Sequence, residues 1–215
     1  DELEQFDPIR GAGANFVSNA DGITNEGFEI EIQYQANDRL NIAGNYSYTK
    51  TEYGEDYFVL TVDDPTNPVA VFGQCTQGYV SCETDNPTFV TDYTVNLKGG
   101  PLKGIPEDKF TMNITYEMDT RWGPVWLFAT HSYTGAFSAS GVQRDLDRIE
   151  SRETTNVSAS WYSEDGSVNI RAYVDNVMDN ESYYALSTSS AEQNYRKTVS
   201  ALSPRTMGVD IRYKF

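Results

Sequence analysis

The chain ends on Ser203-Pro204-Arg205-Thr206-Met207-Gly208-Val209-Asp210-Ile211-Arg212-Tyr213-Lys214-Phe215, where apolar and polar residues alternate. Side chains alternate between the two faces of a β-strand, so one face carries Met207, Val209, Ile211, Tyr213 and Phe215. The opposite face carries Gly208, Asp210, Arg212 and Lys214. One apolar and one polar face are typical of a strand in a transmembrane β-barrel, which meets lipid outside and water inside.

The same alternation recurs upstream, which matters because a single half-exposed strand of any sheet would also show it. The further segments are 24–35, 40–53, 107–118, 125–135, 153–162 and 168–178. Residues 107–118 have about the length that a tilted strand needs to cross a bilayer. Residues 125–135 are apolar on both faces at first, so the sequence leaves the facing of this strand open. Together with the closing stretch, the pattern predicts seven strands.

The connections between these strands alternate between short and long. Residues 36–39, 119–123 and 163–166 are tight polar turns, whereas 54–106, 136–152 and 179–203 are too long for hairpin turns. Outer-membrane barrels have short turns on the periplasmic side and long loops outside. We therefore expect an all-β, antiparallel, up-and-down transmembrane barrel wall, with Phe215 on the periplasmic side and 54–106 as a long extracellular loop.

Aromatic residues mark both ends of the predicted strands, as expected at the two interfaces of a membrane. A soluble β-sandwich with aromatic residues at the ends of its core is the alternative interpretation. Near the short turns and the C-terminus lie Tyr34, Tyr116, Trp122, Trp126, Trp161, Tyr162 and Tyr213, and near the long loops lie Tyr48, Tyr53, Tyr133, Phe137, Tyr183 and Tyr184.

Composition argues against several other classes of protein. No run of about eighteen apolar residues is present, so we expect no transmembrane helix, and no signal peptide is recognisable. A mean hydropathy of -0.55 fits a barrel, because half of each strand faces water. The net charge of -16 argues against a nucleic-acid partner, which would need a basic surface.

The two cysteines, Cys75 and Cys82, lie close together within the longest loop. No histidine lies near enough in the sequence to complete a zinc site with them. An even cysteine count in an oxidising exterior favours a disulfide, which would close a small ring and make part of the loop rigid. Two free thiols are the alternative.

Seven strands do not make a closed bacterial barrel, because single-chain barrels have an even number of strands. Residues 1–20 contain Asp7-Pro8 and Gly11-Ala12-Gly13 without sustained alternation, so we interpret them as loop. An open sheet would leave rows of unpaired backbone groups in hydrocarbon, at a high cost in free energy. The partner strands are therefore expected in the rest of a larger barrel.

Four places in the chain resemble the C-terminal part of the TonB-dependent outer-membrane receptors. Asn25-Glu26-Gly27-Phe28-Glu29-Ile30-Glu31, followed by Tyr46-Ser47-Tyr48-Thr49, is similar to the family's Gly-x-Glu strand and the strand after it. Residues 102–106 before Lys109-Phe110 resemble its Leu-x-x-x-Pro entry into the next strand. Asp175-Asn176-Val177-Met178-Asp179, with Tyr183-Tyr184, resembles its Asn-Leu-Phe-Asp segment, and Pro204-Arg205 with the final Phe215 resembles its closing strand.

This resemblance implies a barrel of about twenty-two strands, of which residues 1–215 would supply the last seven, with the plug domain and TonB box upstream of Asp1. It implies active uptake of a scarce small-molecule ligand, driven through TonB, across the outer membrane of a Gram-negative bacterium. Iron–siderophore complexes, cobalamin, nickel chelates and oligosaccharides are ligands of this family. The implied further partners are outer-membrane lipid, lipopolysaccharide and the barrel-insertion machinery, which reads the terminal Phe215.

The long loop supplies the candidate ligand contacts. Its aromatic residues Tyr53, Tyr57, Phe58, Phe72 and Tyr79 offer flat faces that suit a sugar or a catecholate alike. We predict that the part of this loop around the cysteines helps to cover the ligand. No catalytic residue, cofactor or resident metal is predicted.

Two other functions remain open at this point. A self-contained small barrel could serve as an adhesin or a structural protein. A barrel enzyme would have to use His131, the one histidine in the chain, with Ser132 or Asp145, although no nucleophile signature is present.

The remaining charged residues favour structural roles. Asp145-Leu146-Asp147 and Asp63-Asp64 lack the ligand spacing of a known calcium loop, so we interpret them as solvated acids. The charged residues on the polar strand faces are expected to pair across strands: Glu29, Glu31, Arg171, Asp175, Asp210 and Arg212.

Overall fold

The computed structural model describes residues 2–6, 15–19, 22–60, 94–189 and 196–215. Within these ranges the chain is almost entirely β-structure, and its helical content is a single 3-10 turn, Asp145–Asp147. None of the described segments forms a helix long and apolar enough to cross a membrane.

The strands are β1 (Glu2–Phe6), β2 (Asn15–Asn19), β3 (Ile23–Asn37), β4 (Leu40–Tyr53), β5 (Phe58–Leu60), β6 (Thr94–Asn96), β7 (Asp108–Thr120), β8 (Gly123–Thr134), β9 (Phe137–Ser138), β10 (Arg148–Ile149), β11 (Arg152–Tyr162), β12 (Val168–Asp175), β13 (Tyr183–Thr188), β14 (Lys197–Ala201) and β15 (Thr206–Tyr213). The longest of them form one sheet, which we call the wall. Its seven strands lie in the order β3-β4-β7-β8-β11-β12-β15, and each neighbouring pair is antiparallel.

The wall confirms the predicted all-β, antiparallel, up-and-down architecture and each of its seven strands. The largest differences are at the outer ends of the last two strands. β12 ends at Asp175 because Asn176 adopts a left-handed φ of 51°, and β15 begins at Thr206, after Pro204. The sheet is open, because β3 and β15 form its two edges among the described strands.

The register of the wall decides which side chains share a face. One row of directly opposed residues crosses every strand of the wall, and its members are Tyr34, Ile42, Ile114, Ala129, Val157, Val174 and Met207. Residues two positions along each strand extend this apolar face. Leu127 is 39% exposed and Val157 38% exposed even on inner strands, so no protein core within the described part of the chain covers this face. A continuous exposed apolar face is what a barrel wall presents to lipid.

The register also settles the facing of β8, which the sequence left open. Leu127, Ala129 and His131 lie on the apolar face, opposite Tyr116, Ile114 and Met112. Trp126 and Phe128 lie on the polar face, where their rings stack with centroids 6.4 Å apart. Trp126 and Tyr162 lie near the short turns, as expected. Trp126 is opposite Ser160 and Tyr162 is opposite Asn169, so both aromatic residues lie on the polar face and not on the apolar face.

The three short turns lie along one edge of the wall, which we call the turn edge. They are held by local bonds: Asn37 Oδ1 accepts hydrogen bonds from the backbone of Arg39 and Leu40, and Thr120 Oγ1 donates to the Gly123 carbonyl at 2.6 Å. The Lys214 amide donates to the Ser167 carbonyl at 2.9 Å, so the C-terminus lies on the same edge. The alternation of short and long connections is therefore present in the fold.

Short strand pairs extend the wall beyond its opposite edge, which we call the outer edge. The pairs are β5 with β6, β9 with β10, and β13 with β14. A separate antiparallel pair, β1 with β2, corrects our interpretation of residues 1–20 as loop. Strands of five residues are too short to show sustained alternation, and the Gly11-Ala12-Gly13 segment between them is the kind of sequence that separates hairpin strands.

Candidate ligand-binding site at the outer edge

The base of the long loop is a small apolar cluster at the outer end of β4. Tyr53 is 4% exposed and packs with Leu97, which is 5% exposed. The rings of Tyr53 and Tyr57 stack with their centroids 5.6 Å apart and their planes 5° apart. Tyr57 is half-buried, so part of its ring is accessible to solvent. Tyr53 is buried and is therefore better placed to support the ring of Tyr57 than to contact a ligand itself.

The other predicted loop contacts remain predictions. Phe58 is the first residue of β5, in the strand pair that closes the base of the loop. Phe72 and Tyr79 lie outside the described residues, as do both cysteines of the predicted disulfide, Cys75 and Cys82.

Asn96 ties the two sides of this base together. Its amide nitrogen donates to Asp56 Oδ1 at 3.0 Å, and its carbonyl oxygen accepts from the backbone of Tyr57 and Lys98. The Lys98 ammonium lies 3.1 Å from the same Asp56 oxygen. The hydrogen bond from Asn96, followed by the contacts of Lys98, holds the pKa of Asp56 below its usual range.

The segment after this cluster turns across the polar side of the wall. The Leu102 amide donates to Thr51 Oγ1 at 3.0 Å, and Thr51 belongs to the polar-face row of β4. Farther on, the Gly104 amide donates to the Ser138 carbonyl at 2.8 Å. The long loop therefore contacts the next outer segment, which contains β9.

Asp147 is the centre of a second contact, between the β9–β10 segment and the β13–β14 pair. Its side chain is 3% exposed, and one carboxylate oxygen accepts from Arg144 Nε at 2.5 Å. The other accepts from Thr188 Oγ1 at 2.9 Å. Lys197 Nζ adds a bond to the Leu146 carbonyl at 2.6 Å. We call these contacts the outer clasp. Our interpretation of Asp147 as a solvated acid is wrong, because the folded loops bury it; Asp145 is exposed.

A pocket of about 240 Å³ lies where the three outer segments meet. The long loop contributes Lys103, the β9–β10 segment contributes Ser140, Arg144 and Asp147, and β13 contributes Ser187 and Thr188. The sequence gives no local signal for this site, because its walls come from segments that are far apart in the chain.

Two of the segments that carry the family resemblance contact each other. Asn176 is 5% exposed, and its side-chain nitrogen Nδ2 donates hydrogen bonds to the backbone carbonyls of Asn180 and Ser203. Near it, Asp179 Oδ1 accepts a hydrogen bond from the backbone amide of Arg205 at 2.8 Å, and Arg205 Nη2 lies 3.7 Å from Asp179 Oδ2. These bonds fix the chain at both ends of the last outer loop, so the Asn-x-x-Asp and Pro-Arg motifs form one structural unit.

A glycine of the first resemblance segment is explained by close backbone packing. A Cβ atom at Gly27 would lie 2.2 Å from the carbonyl oxygen of Tyr48 on the neighbouring strand. No side chain fits at that distance, so the Gly-x-Glu pattern reflects the pairing of β3 with β4.

The histidine of the enzyme hypothesis is not part of a catalytic arrangement. His131 lies on the apolar face, where Nδ1 is 2.9 Å from Thr155 Oγ1 and Nε2 is 3.9 Å from Glu153 Oε2. Ser132 follows it on the strand and therefore points to the opposite face. Asp145 is exposed in the outer 3-10 turn. The described part of the chain brings together no group of three or more His, Cys, Asp or Glu residues that could hold a metal, and Asp63-Asp64 lies outside it.

The polar face shows one of the expected cross-strand charge pairs. Arg171 and Asp210 lie directly opposite each other, with Nη1 3.5 Å from Oδ2. The register places the uncharged residues Ser47, Asn45, Thr206 and Asn169 opposite the other four charged positions, which are Glu29, Glu31, Asp175 and Arg212.

These features define a class of protein, the wall of an outer-membrane β-barrel with its outer loops. A family model described as "TonB dependent receptor-like, beta-barrel" matches residues 3–177. The chain belongs to this family. Its members are receptors of the Gram-negative outer membrane and not enzymes, which confirms the predicted class and location.

Solved structures of known receptors share the fold. The ferric yersiniabactin uptake receptor FyuA from Yersinia pestis matches with a TM-score of 0.65 and 16% identity, over 93% of this chain and 25% of that chain. The siderophore receptor PiuA from Acinetobacter baumannii matches with a TM-score of 0.60 and 12% identity, over 90% of this chain and 22% of that chain. The ferric-catecholate import receptor Fiu from K12 E. coli matches with a TM-score of 0.58 and 15% identity, over 99% of this chain and 23% of that chain.

The chain therefore spans about a quarter of the length of these receptors. At such identities the likeness concerns the fold. No curated protein sequence matches the chain significantly.

Proposed function

We propose that this chain forms the wall and outer loops of a receptor that takes up a scarce small-molecule ligand across the outer membrane, with energy supplied through TonB. The observation that carries the proposal is the family match over residues 3–177. The two-faced wall supports it, because an exposed apolar face suits lipid and a polar face suits a water-filled interior.

We further propose that the ligand is a ferric complex. The three solved structures named above are receptors for ferric yersiniabactin, a siderophore and ferric catecholate. Tyr57, whose ring stacks on the buried Tyr53, offers an aromatic surface at the outer edge that suits the ring of such a chelator. Cobalamin, nickel chelates and oligosaccharides are the other ligands that this surface could accept.

The proposal includes two further kinds of partner. Phe215 is fully exposed beside Tyr213, with ring centroids 5.5 Å apart, so its ring is accessible to the barrel-insertion machinery. The exposed apolar face provides the contact with outer-membrane lipid and lipopolysaccharide. Phe215→Ala should lower the amount of receptor in the outer membrane, whereas Lys214→Ala should leave it unchanged. Equal amounts of both variants would contradict a role for the terminal ring.

The decisive experiment for uptake is a deletion of the complete gene in its Gram-negative host. Under iron limitation, the strain should lose import of radioactive iron from one of a panel of complexes: ferric yersiniabactin, a ferric catecholate and ferric citrate. Reintroducing the gene should restore import only while TonB is present. Unchanged import of every complex would overturn the ferric-complex proposal, and restored import without TonB would overturn the coupling.

A further inference from the structure

The pocket between the three outer segments contains an excess of positive charge. Its one acidic lining residue, within the part of the chain that the structure describes, is Asp147, and each oxygen of that carboxylate accepts a hydrogen bond, one from Arg144 and the other from Thr188. The carboxylate is buried, at 3% exposure, and its charge is compensated by Arg144 inside the protein. Lys103 adds a positive charge, and no described acidic residue forms an ion pair with it.

The other polar groups of the pocket also favour an anion. Ser140 Oγ accepts a hydrogen bond from the Val142 amide at 3.2 Å, so its own proton remains free to be donated. Ser187 is exposed and lines the pocket with its hydroxyl group. An ammonium group can form a charge-assisted hydrogen bond to a carboxylate or a phosphate, and two hydroxyl groups can donate further hydrogen bonds to it. The pocket has this positive charge although the chain as a whole has a net charge of -16.

The size of the pocket limits what it can hold. Its volume is about 240 Å³, whereas pockets that enclose a whole ligand of drug size measure roughly 300–1,000 Å³. The pocket would thus take one arm of a larger ligand. Because Lys103 lies in the segment that crosses the polar side of the wall, the rest of the ligand would extend toward the interior of the barrel.

We propose that Lys103, Ser140 and Ser187 bind an anionic arm, a carboxylate or phosphate group, of the imported ligand. This assignment rests on the proposed uptake function and specifies the ligand class: a complex with a negatively charged arm. The outer clasp positions the site, because Asp147 joins the segment that carries Ser140 to the strand that carries Ser187.

The test is calorimetric titration of citrate, and separately of inorganic phosphate, into the purified full-length receptor in detergent. Lys103→Gln should weaken binding of the better probe by at least about tenfold, the loss expected for one charge-assisted hydrogen bond. Lys103→Arg should retain binding within about threefold. Lys98→Gln is the matched control, because Lys98 is an exposed lysine nearby whose partner is Asp56, outside the pocket; it should leave binding unchanged.

Several outcomes would overturn the proposal. One is the absence of binding of either probe by the wild-type receptor up to about 10 mM; another is an equal loss in Lys103→Gln and Lys98→Gln. Lipopolysaccharide phosphates are the other source of this chemistry, so purified lipopolysaccharide should not displace citrate; displacement that depends on Lys103 would reassign the pocket to lipid.

The same measurements separate this proposal from the uptake function. A receptor that imports a ferric complex and yet fails the titration keeps its proposed function and loses the anion site. A receptor that binds citrate through Lys103 and imports no ferric complex keeps the anion site and loses the function that the site was assigned to serve.

Discussion

The two edges of the wall are built by different kinds of contact. At the turn edge, the bonds that shape each turn join residues close in sequence, such as Asn37 with Leu40 at a separation of 3 and Ser163 with Val168 at a separation of 5. At the outer edge, the Asp147–Thr188 bond spans 41 residues and the Leu102–Thr51 bond spans 51. Each short turn is thus shaped locally, although the exposed Arg39–Asp119 pair also joins two of the turns, whereas the outer loops need the wall to bring their segments together.

This difference predicts where substitutions act. A long-range contact at the outer edge should couple several loops, so its loss should be large and spread over distant residues. A local contact at the turn edge should affect its own hairpin only. Four measurements on the full-length receptor test this contrast.

The largest effect is expected for Asp147→Ala in the outer clasp. Asp147→Ala removes a buried carboxylate that accepts hydrogen bonds from Arg144 and Thr188, and each hydrogen bond to a charged group contributes about 1.5–3 kcal/mol. Hydrogen exchange measured by mass spectrometry should rise both in residues 136–152 and in 183–188, although the two segments are far apart in sequence. Asp145→Ala, an exposed neighbour in the same 3-10 turn, should leave exchange unchanged. A rise confined to 136–152 would contradict the coupling.

The next effect concerns Asn176, which is buried at φ 51° and bonded to Asn180 and Ser203. Asn176→Gly should destabilise the receptor by about 1–3 kcal/mol, since it removes two part-buried hydrogen bonds that contribute about 0.5–1.5 kcal/mol each. Asn176→Ala should cost about 1 kcal/mol more, because alanine adds the penalty of a left-handed backbone. Thermal unfolding of the detergent-solubilised barrel measures both. Equal stability of the two variants would show that the backbone conformation contributes nothing.

A smaller effect is expected for the ion pair between two neighbouring short turns, Arg39 and Asp119. Their side chains are 51% and 69% exposed and lie 2.8 Å apart. A double-mutant cycle with Arg39→Ala and Asp119→Ala should give a coupling energy below about 1 kcal/mol. The coupling should fall further at high salt, which screens exposed charges. A coupling as large as that of the outer clasp would break the contrast between the two edges.

The smallest effect is a titration within one turn. The Ser163 hydroxyl, then the Ser167 amide and hydroxyl, lower the pKa of Asp165 to about 2 from its usual 3.8. The folded pKa is depressed, so the stabilisation is fully present above pH 3.8 and is lost as the pH falls through about 2. Carboxyl carbon NMR should show the pKa rise toward its usual value in Ser163→Ala. Glu164→Gln should leave it low, and a low pKa in Ser163→Ala would exclude the hydroxyl as the main cause.

The wall could be predicted from sequence because each strand carries its own evidence. The alternation in 107–118 needs no knowledge of other segments, and β7 is found at Asp108–Thr120. Where alternation failed, as in β8, the facing became clear only from the register with β7 and β11. β1 and β2 were missed because five residues give the pattern too little length.

The candidate site was less accessible to sequence analysis. Asp145-Leu146-Asp147 drew attention as an acidic run, but nothing local distinguishes the buried Asp147 from the exposed Asp145. The difference depends on Thr188 and Arg144, and Thr188 arrives from another loop. The pocket around Lys103 likewise forms only when segments that are distant in the sequence meet. Side chains that meet through folded loops leave no periodic signal along the chain.

The row of opposed residues from Tyr34 to Met207 shows that the strands are strongly staggered. Tyr34 lies three residues before the end of β3 at the turn edge, whereas Met207 is the second residue of β15, at the outer edge. This row of opposed residues therefore runs from the turn edge at β3 to the outer edge at β15. The same stagger is found in closed barrels, whose strands are tilted relative to the barrel axis. Residues at equal depth in the membrane are therefore found along a diagonal. Tyr34 and Tyr213 both lie near the turn edge although six strand pairings and several rows separate them.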